Sequence, residues 1–257
     1  MPITTPFKRL WRPVKGYEFG NYVIYDTPQP SIDYLDDESF VCQSEIRSLV
    51  TTAHLIIRDL YEILNYIEPH DSNLCVFSHR IYELFLRTAT EFESNCKAIL
   101  RDNGYPKSER EMNITDYFKI AAVARLTDYR VLFNRWATPH EFRPFETWNT
   151  VTFSSLPWYQ SYNNVKHNRY THFCDASLGN LMNAISALLC ILHAQYGEKM
   201  DRASFEGNGV SQISQEEIRT NTFTIMAPHF PDDEQYEFIW ATIKGNANSV
   251  QNYNFVL

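Results

Sequence analysis

The chain has 257 residues, 23 of them basic and 31 acidic, for a net charge of −8. That length can bury a core without disulfide or metal staples, and 44% hydrophobic with 21% charged residues excludes a disordered chain. The acidic balance excludes a protein that coats nucleic acid through overall charge, because that grip needs a basic face. A small basic site inside an acidic protein remains compatible with it. The five cysteines Cys42, Cys75, Cys96, Cys174 and Cys190 are odd in number and widely spaced, which points to free thiols and a cytoplasmic chain. No apolar segment follows the charges at the start, so no secretory leader is expected. The longest apolar run, residues 185–192, falls short of a bilayer, and no membrane partner is expected.

Residues 1–35 are rich in proline, glycine and aromatics and read as an arm, with a strand-like stretch over 17–25. From Ile46 to Ile67 apolar residues recur every three or four positions, which predicts a helix over 38–68. Asp36, Asp37 and Ser39 are its candidate caps, and Pro69 stops it. A second helix is expected over 78–103, with Ile81, Leu84, Phe85, Phe92, Cys96 and Ile99 on one face and Asn103-Gly104 as its stop. A third, shorter one is expected over 115–126. Residues 129–155 change character. Segments 129–133, 142–148 and 151–153 read as extended, with Pro139 and Pro144 breaking them, and form an insertion.

Helical pattern returns at Pro157 and continues to Tyr196, where Gly197 ends it. Unbroken, that helix would span roughly 60 Å, so a break is expected near 175–179 with Asp175 capping the second half. Residues 198–216 read as a polar loop. Segments 221–227 and 235–243 read as a hairpin around Pro-Asp-Asp, with 253–257 as a third strand. The chain is thus mainly α: an arm over 1–35, a four- or five-helix bundle over 36–197 with a β insertion at 129–155, and a C-terminal loop and β-hairpin appendage over 198–257.

Phosphate loops, a dinucleotide fingerprint, a nucleophile elbow and a His-Glu-x-x-His zinc motif are all absent from the sequence, and no cofactor is expected. His167, His172 and Cys174 lie close together, but His172 points off the face shared by the other two, and no second cluster completes a ligand set. No metal is therefore expected, with Cys174 in the core and His172 on the surface. Glu91 and Glu93 read as either a carboxylate facing His167 across the bundle or a surface salt bridge from Glu93 to Lys97, the latter favoured. Trp136, Trp148, Trp158 and Tyr159 can stack on bases or pack the core, the core being favoured.

Residues 158–169 stand apart. Tyr162, Asn163, Asn164, Lys166, His167, Asn168 and Arg169 crowd together with a single apolar residue, Val165, among them. On one continuous helix Asn163, His167 and Tyr170 share a face, and Tyr162, Lys166 and Arg169 share its neighbour. An imidazole beside two cations and an amide can bind a phosphodiester and move a proton. The plainer reading is a polar first turn of a surface helix.

The pattern Tyr162-Asn163-x-x-Lys166-His167-x-Arg169, followed by the apolar helix to Tyr196, resembles the signature region of HEPN domains. Those are small helical nucleic-acid-associated proteins, some linked to abortive infection. Many HEPN ribonucleases carry Arg-Asn, three further residues and His, and Asn163 and His167 keep that spacing. The residue in the family's arginine position is Tyr162, so Arg169 or Lys166 must supply the charge. The Arg135-x4-His140 match lies in the insertion and reads as chance.

The resemblance covers residues 40–197 apart from the insertion. It implies a homodimer and a metal-independent endoribonuclease of the phage-defence or toxin type. His167 would handle the proton, Asn163 would orient it or the phosphate, and Arg169 with Lys166 would stabilise the charge. Tyr162, Asn164 and Trp158 would contact the RNA. The alternative it implies is a non-catalytic dimerisation module holding a nucleotide, RNA or a partner protein from the same operon.

Overall fold

The apolar spacing from Ile46 onward does fold as a helix, α1 (Gln43–Leu64), in a computed structural model that describes residues 2–17, 30–149, 152–197 and 223–256. Ile46, Val50, Ala53, Ile56, Ile57, Leu60 and Ile63 form its buried stripe. The helix starts later than the pattern suggests. Residues 33–36 make a 3-10 turn, and the Asp37 carboxylate accepts from the backbone and hydroxyl of Ser39 at 2.8 and 2.6 Å. Asp37 and Ser39 therefore bond to each other rather than capping the helix.

Helix α2 (His79–Asp102) begins where expected, with the Ser78 hydroxyl accepting from the Ile81 N–H at 3.2 Å. Gly104, at φ +77°, lies just beyond its end in a conformation that glycine adopts without cost. Helix α3 (Ile114–Val123) opens on a reciprocal cap between Asn113 and Asp116.

The segment 157–196 breaks earlier than its composition implies. Helix α4 (Pro157–His167) ends at Asn168, whose φ of −144° and ψ of 73° leave the helical region. Asn168 caps the one-turn helix α5 (Arg169–His172), a 3-10 turn covers Phe173–Asp175, and Ser177 caps α6 (Leu178–Tyr196). Asp175 is thus not the cap of the last helix.

Helix α6 is by length and composition apolar enough to cross a membrane, contrary to the short-run argument, but about 78% of that window is buried inside the protein. It is the centre of the core, and α2 makes the most extensive helix contact with it. Gly197 ends it as anticipated. At φ +51° any side chain would be strained, and a Cβ there would lie 2.3 Å from the Trp11 indole nitrogen.

Among the described residues there are three short strands, β1 (Arg130–Phe133), β2 (Glu141–Phe142) and β3 (Phe223–Met226), antiparallel in the order β2–β1–β3. Val131 lies opposite both Phe142 and Ile225. The expected C-terminal hairpin does not form. β3 pairs with β1, the Phe223 ring meets Phe133 at 5.0 Å, and residues 235–243 supply Tyr236 and a short helix α7 (Trp240–Ile243) instead. Residues 253–256 are not a strand, and residues 146–148 form a 3-10 turn where a strand was expected. Residues 152 and 153 are not extended into a strand either. The strand-like stretch over 18–25 and the polar loop over 198–216 lie outside the described residues.

The N-terminal arm is held by two buried cations: Arg12 donates to the Glu234 and Val123 carbonyls at 2.7 and 3.2 Å, and Arg9 joins the helices. Arg9, at φ +53°, donates to the carboxylates of Asp102 on α2 and Glu45 on α1, and to Tyr196 Oη at 2.7 Å and Gln195 Oε1 at 3.3 Å on α6. Burial opposes its charge, but the Tyr196 hydroxyl and the two carboxylates outweigh that and raise its pKa further. The arm then meets the C-terminal tail around Tyr236, whose hydroxyl donates to the Leu10 carbonyl at 2.6 Å and accepts from the Phe7 N–H at 3.0 Å.

Removing the guanidinium leaves two carboxylates facing each other at a half-buried junction. Arg9→Met should therefore cost about 3 kcal/mol, the low end for a broken buried pair because Glu45 and Asp102 keep some solvent. Urea unfolding checks it, and a loss under about 1 kcal/mol would mean that the arm is not anchored there.

A second prediction concerns His193 on α6, whose Nδ1 sits 2.9 Å from the Tyr129 hydroxyl and whose pKa burial pushes down to about 4. The unfolded ring protonates near pH 6.5 while the folded ring stays neutral. This group's contribution is complete above about pH 6.5 and is lost as pH falls toward about 4, to the extent of roughly 2–3 kcal/mol. His193→Gln should flatten that part of the acid limb in urea titrations, and equal acid sensitivity in both proteins would refute the assignment.

Candidate functional site

Helix α4 lies against α2, and its aromatic residues face inward. Trp158 is buried, donating from its indole to the Pro144 carbonyl at 2.9 Å and meeting Phe92 edge-on at 5.3 Å. Tyr162 is 1% exposed and packs near Phe85. Neither can contact RNA from there, which corrects their expected role as substrate-binding residues. Trp136, Trp148 and Tyr159 are buried as well, so these aromatics pack the core.

Glu93 faces α4, but toward Tyr159 and Lys166 rather than toward His167 as the less favoured alternative had it. The Tyr159 hydroxyl donates to its Oε1 at 2.5 Å, and Lys166 Nζ lies 3.9 Å from its Oε2. A salt bridge from Glu93 to Lys97 is not found among the described residues. Burial and the Glu93 carboxylate together push the Tyr159 hydroxyl well above its ordinary pKa. Lys166 also donates to the Tyr162 hydroxyl at 2.9 Å. Burial works against the Lys166 charge, but Tyr162 and Glu93 outweigh it and raise its pKa. This lysine is a tethered cation with donor capacity to spare, since an ammonium carries three N–H groups.

Asn163 and His167 occupy another face of α4, one turn apart, with Asn163 partly buried and His167 exposed. Among the described residues neither side chain makes a hydrogen bond. The break at Asn168 removes Arg169 from the face it was expected to share with Lys166, and Tyr170 from that of His167. Arg169 instead lies over the rings of Tyr82 and Phe173, 5.4 and 5.8 Å from their centroids. The structure thus keeps Asn163 with His167 and separates Lys166, turned to Glu93, from Arg169, turned to the start of α2.

Two residues that sequence reasoning set aside are organised here. His172 Nδ1 lies 3.0 Å from Asp175 Oδ2, and the same oxygen accepts from Asn164 Nδ2 at 3.2 Å. Asn164 is therefore committed to Asp175 and to Gln160, at 3.1 Å, rather than free for substrate. A carboxylate bonded to Nδ1 fixes the imidazole and leaves Nε2 for another partner, as in acid–base sites. The i, i+3 spacing of His172 and Asp175 was a readable signal. Cys174, expected in the core, is exposed. Among the described residues no group of three or more His, Cys, Asp and Glu side chains is placed to hold a metal ion.

A cleft of about 670 Å³ lies elsewhere, between α1 and the first half of α2. Both of its arginines are paired, Arg87 with Asp59 at 2.6 Å and Arg80 with Glu83 at 3.3 Å, and Glu62 adds a further carboxylate, so it offers no net attraction to an anion.

Tyr162 ties α4 to the core and steers Lys166. Tyr162→Ala should cost about 3–5 kcal/mol, as for other buried aromatics. Tyr162→Phe, which loses only the hydroxyl, should cost about 1 kcal/mol. Urea unfolding of both variants measures this, and a near-neutral alanine variant would place Tyr162 outside the core. Compared with protein-family models, with curated proteins and with solved structures, the chain matches none of them.

Proposed function

We propose that the corner formed by α4 and α5 binds RNA and cleaves it without a metal, in the manner of the HEPN ribonucleases that the sequence pattern resembles. The observation that carries this reading is the pairing of Asn163 and His167 on an open face of α4, flanked by two cations held in place by their neighbours. His167 takes the proton from the RNA 2′-hydroxyl, and that oxygen forms a bond to the adjacent phosphorus. The bond to the 5′ oxygen breaks, and the proton passes to it, leaving a cyclic phosphate and a 5′-hydroxyl. Asn163 orients the phosphate or the ring. Arg169 and the spare N–H groups of Lys166 stabilise the developing charge.

The chain acts as a homodimer in this reading, and the five unpaired thiols suit a cytoplasmic protein of the phage-defence or toxin type. In this reading the exposed face of α4 takes part in the pairing, since α6 is buried within the chain.

One observation favours the alternative of a non-catalytic module that binds RNA, a nucleotide or an operon partner. Tyr162, in the family's arginine position, is a core residue, so no cation projects from that position.

Cleavage of a mixed RNA pool in EDTA, with analysis of the product ends, tests the two readings. Cyclic phosphate ends that disappear in His167→Ala support the enzyme. Because His167 is exposed, that variant should unfold within about 1 kcal/mol of wild type. An inert wild type would leave the binding module, and a His167→Ala loss of several kcal/mol would make the histidine structural.

A further inference from the structure

The start of α2 and helix α5 build a surface of which the proposed cleavage chemistry uses Arg169 alone. Phe173 is its centre. Phe77 meets it edge-on at 5.5 Å, Tyr82 at 5.9 Å, and the His79 ring lies against it at 4.7 Å with a tilt of 38°. Arg169 lies over the rings of Tyr82 and Phe173. The backbone beneath is held as well. Phe77 bridges to Ser177, and the Leu178 N–H donates to the Val76 carbonyl at 2.8 Å.

Part of this cluster is left open to solvent by its own fold. Phe77 is 47% exposed, and Tyr170, next to Arg169, is 99% exposed. His79 is exposed too. An aromatic ring left in water on a pinned scaffold, beside a guanidinium and two imidazoles, is matched to a flat, anionic partner. The carboxylate in the cluster, that of Asp175, is already engaged by His172 and Asn164. Glu83, one turn further along α2, is paired with Arg80. Among the described residues Arg169 pairs with no carboxylate, so its guanidinium is left to meet an anion on a chain whose net charge is −8.

We propose that this surface is a single-stranded RNA platform: Phe77 and Tyr170 stack on bases, and Arg169 with His79 holds the phosphates between them. It rests on the reading of the α4–α5 corner as an RNA site in taking RNA as the ligand, but it requires no cleavage. Stacking on an exposed ring tolerates any base, so the platform should show little sequence preference and a clear salt dependence.

The test uses a fluorescein-labelled 2′-O-methyl oligoadenylate, which cannot be cleaved through its 2′ oxygen, with the full chain in EDTA and anisotropy as readout. Phe77→Ala combined with Tyr170→Ala should weaken binding roughly tenfold or more. Arg169→Ala should lower the slope of log affinity against log salt by about 0.7. Circular dichroism and urea unfolding check that each variant is folded. Tyr170→Ala alone, at a fully exposed position, keeps the test valid should Phe77→Ala unfold, and should weaken binding severalfold.

An unchanged affinity in folded variants overturns the platform, as does a wild type that fails to bind at low salt. Variants that convert a dimer to a monomer in sedimentation while keeping their RNA affinity would assign the surface to a second copy and likewise overturn it. A wild type that binds this RNA but leaves ordinary RNA intact retires the cleavage reading and supports the platform as a separate property.

Discussion

A single buried guanidinium, that of Arg9, joins four parts of the chain that have no covalent reason to meet. It links the N-terminal arm to the first turn of α1 through Glu45, to the last residue of α2 through Asp102, and to the end of α6 through Gln195 and Tyr196. Ion pairing in a low-dielectric site barely offsets desolvation, so the cluster contributes more to register than to net stability. The geometry is electrostatically consistent. A cation at the C-terminal ends of α2 and α6 and a carboxylate at the N-terminal turn of α1 both complement the helix dipoles. With Arg9 in place the arm crosses the helix ends, and its backbone pairs with the tail around Tyr236 and Gln251.

From that anchored end α2 acts as a ruler for everything packed on it. Asn95 accepts from Gln195 of α6 at 2.9 Å, Glu93 from Tyr159 of α4, and Phe85 meets Tyr162. Tyr82 then meets Arg169, and His79 meets Phe173. The layers change from charged and buried, through aromatic and buried, to aromatic and open. The end that carries Arg9 is closed by both termini. The opposite end is covered by a one-turn helix and a 3-10 turn, and that is where exposed rings, a stacked arginine and the His172–Asp175 pair collect.

The break at Asn168 is what makes that corner. A continuous helix would have lined up Lys166 and Arg169 on one face. Because Asn168 leaves the helical region and its side chain caps α5, the two cations serve different neighbours. Lys166 turns back to Tyr162 and Glu93, and Arg169 turns forward to Tyr82 and Phe173. The polar cluster is thereby divided into an Asn163–His167 face on α4 and an aromatic face at α5.

Local rules made much of this legible in advance. Repeating apolar positions defined α1 and α2, Ser78 and Gly104 mark the ends of α2, and Gly197 stopped α6, because each depends on the backbone and side chains of one short stretch. Pairing across the chain was not legible. The sequence around Phe223 specifies a strand but not its partner, and β1 rather than residues 235–243 took that role through a Phe133–Phe223 contact between segments 90 residues apart. Within the site, the Asn163–His167 spacing was readable as one helical turn, and the composition of 158–169 marked the region. The inward turn of Trp158 and Tyr162, the tether from Lys166 to Glu93, and the aromatic seat of Arg169 came from packing against α2. Which face of a polar helix is buried depends on what stands opposite it, and only the tertiary structure supplies that.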